Sequence, residues 1–312
     1  MRGTGRADTL ARMTTAPRNT APVTKAAINI AGLRKTYGNK NAVDGLDLTI
    51  DEGEVFALLG PNGAGKTTTI EILEGFRKRT SGDVTVLGID PHDADRDWRT
   101  EVGIMLQSTS ERSFLSAREA LTHASRLYPN PRGVDETLDA VGLTEKANAK
   151  PQTLSGGQRR RLDVALAVIG RPRLVFLDEP TTGFDPEARR QFWGLIEGLR
   201  GDGTTIMLTT HYLEEAEHLA DRIGIVAAGK LIALDTPAKL RALASGSIVR
   251  WEEDGVPQSE STPTPTALVR ELASRHHGEI PELSITKPSL EDVYLELIGQ
   301  NAELSAAEGD AA

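Results

Sequence analysis

The sequence predicts an α/β fold built around a mainly parallel sheet, and three observations carry that prediction. Short apolar runs at 55–59, 174–177, 204–208 and 223–226 have the length and character of strands buried on both faces. Helical stretches over about 65–76, 187–200 and 212–222 separate them, and strand alternating with helix gives a parallel sheet. The first run empties into a glycine-rich turn that opens a helix.

The remaining elements follow in chain order. Residues 28–50 read as antiparallel strands, with Ile28, Ile30 and Leu33 in one, Leu46, Leu48 and Ile50 in the next, and a turn near Gly38-Asn39. From about 90 to 170 the pattern is mostly helical, most clearly over 117–127 and 134–141. A strand over 231–234 follows the Gly229-Lys230 turn. Thr236-Pro237 starts a helix, with Thr as cap and Pro in the first turn. Composition shifts near Ser245. Beyond it the expectation is a strand at 248–251, an acidic, Ser/Thr- and Pro-rich loop at 252–266, and a helix at 267–276. An extended piece at 283–286 and a helix at 290–298 complete a small α/β module. The division expected is a disordered tail at 1–25, a main domain at 26–243 with a helical subdomain at about 90–170, the module at 244–300, and a second disordered tail at 301–312.

Composition narrows the function. The 312 residues include no cysteine, which excludes disulfides and thiolate metal sites. A formal charge of -9 disfavours a nucleic-acid binder, because phosphate attraction needs a basic field. Arg159, Arg160 and Arg161 form a local basic cluster, read as a solvated helix face. No apolar run approaches the roughly 20 residues of a membrane-spanning helix, and the first 25 residues lack the apolar stretch of a secretory signal. A transport role would act through another chain.

The chemistry begins at Gly60-Pro61-Asn62-Gly63-Ala64-Gly65-Lys66-Thr67, a match to G-x-x-x-x-G-K-[ST] between an apolar strand and a helix. Glycines let backbone N–H groups turn toward phosphate, and the helix start adds the positive end of its dipole. Lys66 is expected on the β- and γ-phosphates, the Thr67 hydroxyl on Mg²⁺, and Thr68 in the same nucleotide site. The strand at 174–177 ends in Asp178-Glu179. Beside a phosphate loop the first acid serves Mg²⁺, and the second orients and deprotonates the attacking water. His211 ends the next strand; it reads either as a γ-phosphate contact or as a surface or capping His. Gln107 leaves another strand, as an Mg²⁺ ligand or as an ordinary polar residue.

Leu154-Ser155-Gly156-Gly157-Gln158 is the most specific element. A chance match to all five positions is on the order of one in a million per start point. It opens a second helix terminus suited to an anion, and a spare phosphate cradle makes sense if it serves a γ-phosphate held by another copy.

Together these residues resemble the ATP-binding cassette (ABC) ATPase family, over about 28–240. The resemblance implies a P-loop cassette with a mainly parallel RecA-like core, an antiparallel β subdomain and a helical signature subdomain. Walker A is then 60–67, the Q-loop is at Gln107, and the signature is 154–158. Walker B is 174–178 with catalytic Glu179, and the switch His is His211. The D-loop is Thr182-Gly183-Phe184-Asp185, with Phe where Leu is usual. Tyr37 matches the aromatic that stacks on adenine; a half-buried strand Tyr is the plainer reading. The family further implies a head-to-tail dimer with two ATP molecules held between P-loop and signature.

Arg159-Arg160-Arg161-Leu162-Asp163, the run 211–217 and the run 290–295 look like bacterial drug-exporter cassettes of the daunorubicin-resistance type. Those pair with a separate ABC-2 type permease at the cytoplasmic side of the membrane. The segment from Gln107 to Leu127, where such cassettes receive the permease, is less typical here, and 108–114 lacks the usual pattern. A soluble ABC ATPase acting on nucleic acid or ribosomes is the alternative; a single cassette without sustained heptads between Lys66 and Leu154 argues against it. A small-molecule kinase would have no use for the signature.

Overall fold

The structure, a computed structural model, describes residues 25–105, 114–243, 246–276 and 279–309, with side chains described no further than 301. Two strands, β1 (Ala26–Tyr37) and β2 (Lys40–Asp51), pair antiparallel, with Ile30 opposite Leu48 and Leu33 opposite Leu46. β3 (Val55–Leu59) leads into α1 (Lys66–Leu73). The helix stops short of the expected Phe76 because Gly75 turns left-handed at φ 74°, and a Cβ there would lie 2.5 Å from the Pro91 carbonyl oxygen. β4 (Ser81–Val86), not expected from the pattern, adds to β1 and completes a sheet of order β2-β1-β4.

After α2 (Arg96–Glu101) comes β5 (Val102–Met105). Three helices follow: α3 (Ala117–Ser125), α4 (Val134–Ala140) and α5 (Gly156–Val168). They enclose a core of their own around Leu121, Leu138, Leu143, Leu154 and Leu162. The chain then alternates through β6 (Leu174–Asp178), α6 (Pro186–Gly201), β7 (Thr205–Thr209), α7 (Leu213–Leu219) and β8 (Arg222–Ala227). It closes with β9 (Lys230–Asp235) and α8 (Pro237–Arg241).

The central sheet has the order β5-β6-β7-β3-β8-β9, parallel from β5 to β8, with β9 antiparallel at the edge. Every residue of β3, β6 and β7 is buried. Period-two alternation sends Phe56, Leu58, Phe176 and Met207 to the face covered by α1 and the first sheet. Val55, Ala57, Leu177 and Leu208 go to the face covered by α5, α6 and α7.

Beyond Gly246, β10 (Ser247–Glu253) pairs with β11 (Val256–Thr262) and β12 (Ser284–Thr286), and α9 (Pro265–Arg275) covers Val249 and Trp251. β11 replaces the expected loop at 252–266. The signal was Asp254-Gly255, whose φ angles of 52° and 76° make the two-residue hairpin turn that suits strand twist. α10 (Leu290–Gly309) runs on through the first residues read as a tail. Its Leu290, Tyr294, Leu297 and Ile298 return to the main core beside Leu219, Leu240 and Ile223, so the C-terminal segment is tied to the central sheet's layers by packing. No helix among the described residues is long and apolar enough to cross a membrane.

Candidate active site

In a parallel sheet the carboxyl ends of the strands share one edge, and loops leaving adjacent strands there meet. The register β6-β7-β3 sets Asp178 opposite Thr209 and Thr209 opposite Leu58. The glycine-rich turn after β3, the acid pair after β6 and the Thr-Thr-His run after β7 therefore converge.

The turn from Gly60 to Thr67 is shaped as a cradle. A Cβ on Gly60 would sit 2.3 Å from the Val226 carbonyl oxygen, and one on Gly65 at 2.3 Å from that of Ala42. Gly63 and Gly65 hold φ angles of 80° and 106°, which L side chains rarely adopt. Lys66, 6% exposed, donates to the Gly60 carbonyl at 2.7 Å and the Pro61 carbonyl at 3.2 Å, so its ammonium closes the loop on itself. Burial pulls the Lys66 ammonium below the usual lysine range, and the Glu179 and Asp178 carboxylates work against that pull. The loop's N–H groups and this cation fit an anionic phosphate chain.

Asp178 is buried beside Thr209, whose hydroxyl donates to it, and the Thr67 hydroxyl lies 3.4 Å from its other oxygen. Hard oxygens of this kind suit Mg²⁺, which is held through one or two carboxylates and fills the rest of its octahedral shell with other oxygens, phosphate and water. Glu179 sits at φ 49°, a left-handed conformation that costs a non-glycine residue about 1–3 kcal/mol unless its surroundings enforce it. Its N–H donates at 3.1 Å to both the carbonyl and the hydroxyl oxygen of Thr209. Its carboxylate lies 3.6 Å from His211 Nδ1 and accepts from the Thr182 hydroxyl at 3.4 Å. The chain thus holds two carboxylates side by side, one turned to the Thr67 hydroxyl and one to His211.

At the other terminus, Ser155 and Gln158 form a reciprocal capping box. The Gln158 N–H donates to Ser155 Oγ at 3.2 Å and the Ser155 N–H to Gln158 Oε1 at 3.0 Å. The Gln158 side chain is spent on the cap, which leaves the N–H groups of Gly156 and Gly157 at the open end of α5. Gly157 lies against the loop holding Gly183 and Phe184. Phe184 packs edge-on to Phe192 at 6.0 Å, so the apolar replacement in that loop keeps an apolar role. Tyr37 is 42% exposed, with Lys35 Nζ 5.0 Å and Arg77 5.5 Å from its ring centre. Gln107 lies outside the described residues, as does most of 108–114; Phe114 itself is exposed.

Two features escaped the sequence reading. Arg160 and Arg161 do not form a solvated face. Arg160 turns inward to the carbonyls of Asp178 and Glu179, while Arg161 donates to the Val141 and Gly142 carbonyls and to Gln191. The second feature is Glu74, at the end of α1 beside a cavity of about 580 Å³ that Thr67, Glu71, Phe76, Met105 and Asp178 also line. A larger cavity of about 780 Å³ lies between α4, α5 and α6, away from both carboxylates. Burial, reinforced by the nearby charges of Asp178 and Glu71, pushes the Glu74 carboxyl up to about 8.

An acid whose folded value exceeds its unfolded one favours the fold only while protonated. Stability is therefore fullest below about 4.5 and falls as pH rises toward 8. At one unit per ~1.4 kcal/mol the loss reaches about 5 kcal/mol at most. Glu74→Gln is expected to raise the melting temperature of the nucleotide-free chain by about 5 °C or more at pH 9 and to change it little at pH 5. Circular-dichroism melts across that range check this, and a shift of the same size at both pH values contradicts it.

A family model described as ABC transporter matches residues 43–182. Daunorubicin/doxorubicin resistance ATP-binding protein DrrA of Streptomyces peucetius is 37% identical, across 91% of this chain and 96% of that protein. Nod factor export ATP-binding protein I of Rhizobium johnstonii (strain DSM 114642 / LMG 32736 / 3841) is also 37% identical, across 89% and 96%. Among solved structures, the dimeric post-hydrolysis state of the ATP-binding cassette MJ0796 bound to ADP and Pi superposes with a TM-score of 0.62. It is 26% identical and covers 67% of this chain and 98% of that one. On these likenesses the chain belongs to the ATP-binding cassette family as an ATP-hydrolysing transporter subunit.

Proposed function

We propose that this chain powers export of a drug- or antibiotic-like compound through a separate ABC-2 type permease, from the cytoplasmic face of the membrane. The observation that carries the reading is near full-length similarity to exporter ATP-binding proteins, which includes the C-terminal segment beyond the cassette. Two of those relatives are named for chemically unlike cargoes at the same identity. Cargo choice therefore belongs to the membrane partner, and this chain supplies the stroke.

In this reading 26–243 is the nucleotide-binding domain and 244–300 an attached module. ATP lies along 60–68 with its adenine on Tyr37. Mg²⁺, held by Thr67, Asp178 and Gln107, neutralises phosphate charge. Glu179 accepts the proton of the attacking water, and His211 holds the γ-phosphate. Lys66 gives up its contacts to the Gly60 and Pro61 carbonyls for phosphate oxygens. Two copies meet head to tail, so that Ser155, Gly156, Gly157 and Gln158 of one copy close on the ATP of the other. The support is chemical: one chain holds two phosphate-suited helix starts and one acid pair.

Co-purification with a candidate ABC-2 type membrane protein from the same genome, followed by transport in vesicles, tests the proposal. The expected result is a stable complex whose uptake into inverted vesicles needs ATP. ATP turnover with no membrane protein bound and no transport contradicts it.

A further inference from the structure

Successive side chains point about 100° apart around α5, so Arg160 and Arg161 meet different surroundings. Arg161 reaches the end of α4. Arg160 reaches the hydrolytic edge of the sheet, where one terminal nitrogen donates to the Glu179 carbonyl at 2.9 Å and, closer still, to the Asp178 carbonyl. A guanidinium is a rigid, permanently charged fork, and its hydrogen bonds to carbonyls are stronger than neutral ones. Burial lowers the guanidinium's proton affinity, and Asp163, Asp178 and Glu179 offset the loss of solvation.

The residue so held is the strained one. The left-handed backbone of Glu179 is fixed from one side by Thr209, through two bonds to its N–H, and from the other by Arg160, through its carbonyl. Where the peptide planes on both sides of a residue are pinned, the direction of its side chain is set. Arg160 lies five residues from Ser155 on the same helix, about 7.5 Å along its axis. A displacement at the signature terminus therefore reaches the backbone of Glu179 through one rigid helix and one side chain.

We propose that Arg160 is a positioning residue that couples the signature helix to the hydrolytic carboxylate of its own chain. The proposal rests on the assignment of Glu179 as the base and of 154–158 as the contact to the second copy's ATP. Through Arg160, closure of the signature of one copy on the other's ATP adjusts the Glu179 that acts on its own ATP.

The test uses the full-length chain and reads ATP affinity and turnover separately. Arg160→Met keeps an unbranched stem and removes every donor. It is expected to lower kcat about tenfold or more, since small misplacements of a catalytic group cost up to about 10²-fold. The Kd for ATP should stay within about twofold, because the P-loop is untouched. Arg160→Lys restores one cationic donor and should recover part of the turnover, which a packing role for the stem would not predict. Arg160→Gln gives the same loss as Met and carries the test if the Met variant fails to fold. In a Glu179→Gln background Arg160→Met should add less than about twofold, because the group it positions is gone. Wild-type kcat in both neutral variants, or a full tenfold loss on top of Glu179→Gln, overturns the proposal. Wild-type turnover in Glu179→Gln alone overturns the assignment of the base and the coupling with it.

Discussion

Glu179→Gln is expected to bind ATP and to hydrolyse it about 10²–10⁴-fold more slowly than the wild type, the usual cost of losing a general base. The amide matches the carboxylate in shape and accepts from the Thr182 hydroxyl as before, but cannot take a proton from water. The backbone bonds of residue 179 to Thr209 and Arg160 do not involve the side chain and survive the change. Phosphate release under saturating ATP and Mg²⁺ measures the loss, and nucleotide affinity by equilibrium titration provides the control. A variant that keeps wild-type turnover moves the base elsewhere in the site.

Lys66→Ala acts at an earlier step. The ammonium is nearly enclosed by the loop, so the substitution removes both a cation for the phosphates and the contacts that close 60–66. Loss of a charge-assisted hydrogen bond costs about 1.5–3 kcal/mol, which weakens ATP binding by roughly ten- to a hundredfold. Turnover falls further, because the same cation faces charge that develops in the transition state. Titration with a fluorescent ATP analogue and steady-state hydrolysis separate the two effects. Wild-type affinity and rate in this variant would contradict the placement of nucleotide on the loop.

How much of this was written in the sequence depends on whether a residue's role is local. The P-loop, the acid pair and the signature are contiguous motifs whose context is the next strand or helix, and each lies where the pattern puts it. β3 spans 55–59 as expected, because five apolar residues between turns have few alternatives in a two-sided sheet. Arg160 was illegible for the opposite reason. Three consecutive arginines read as solvent-exposed, and only the packing of α5 against β6 turns the middle one inward. Glu74 looks like any polar residue near a helix end until Asp178 arrives from a strand far along the chain. β4 and β11 are edge strands with few apolar residues, so periodicity hardly marks them. The docking of α10 was legible in principle. Leu290, Val293, Tyr294, Leu297 and Ile298 recur at helical spacing, a stripe that asks for a surface to cover it.

In the proposed mechanism hydrolysis needs two copies, each closing its signature on the other's ATP. Size-exclusion chromatography with light scattering on Glu179→Gln tests it most directly, with and without ATP and Mg²⁺. A dimer is expected when both are present and a monomer when ATP is left out, with the wild type forming that dimer only transiently. Adding Ser155→Arg, which places a bulky cation at the open end of α5, should abolish the dimer and leave ATP binding in place. A Glu179→Gln protein that binds ATP yet stays monomeric at high concentration would contradict the ATP-sandwich mechanism for the isolated chain.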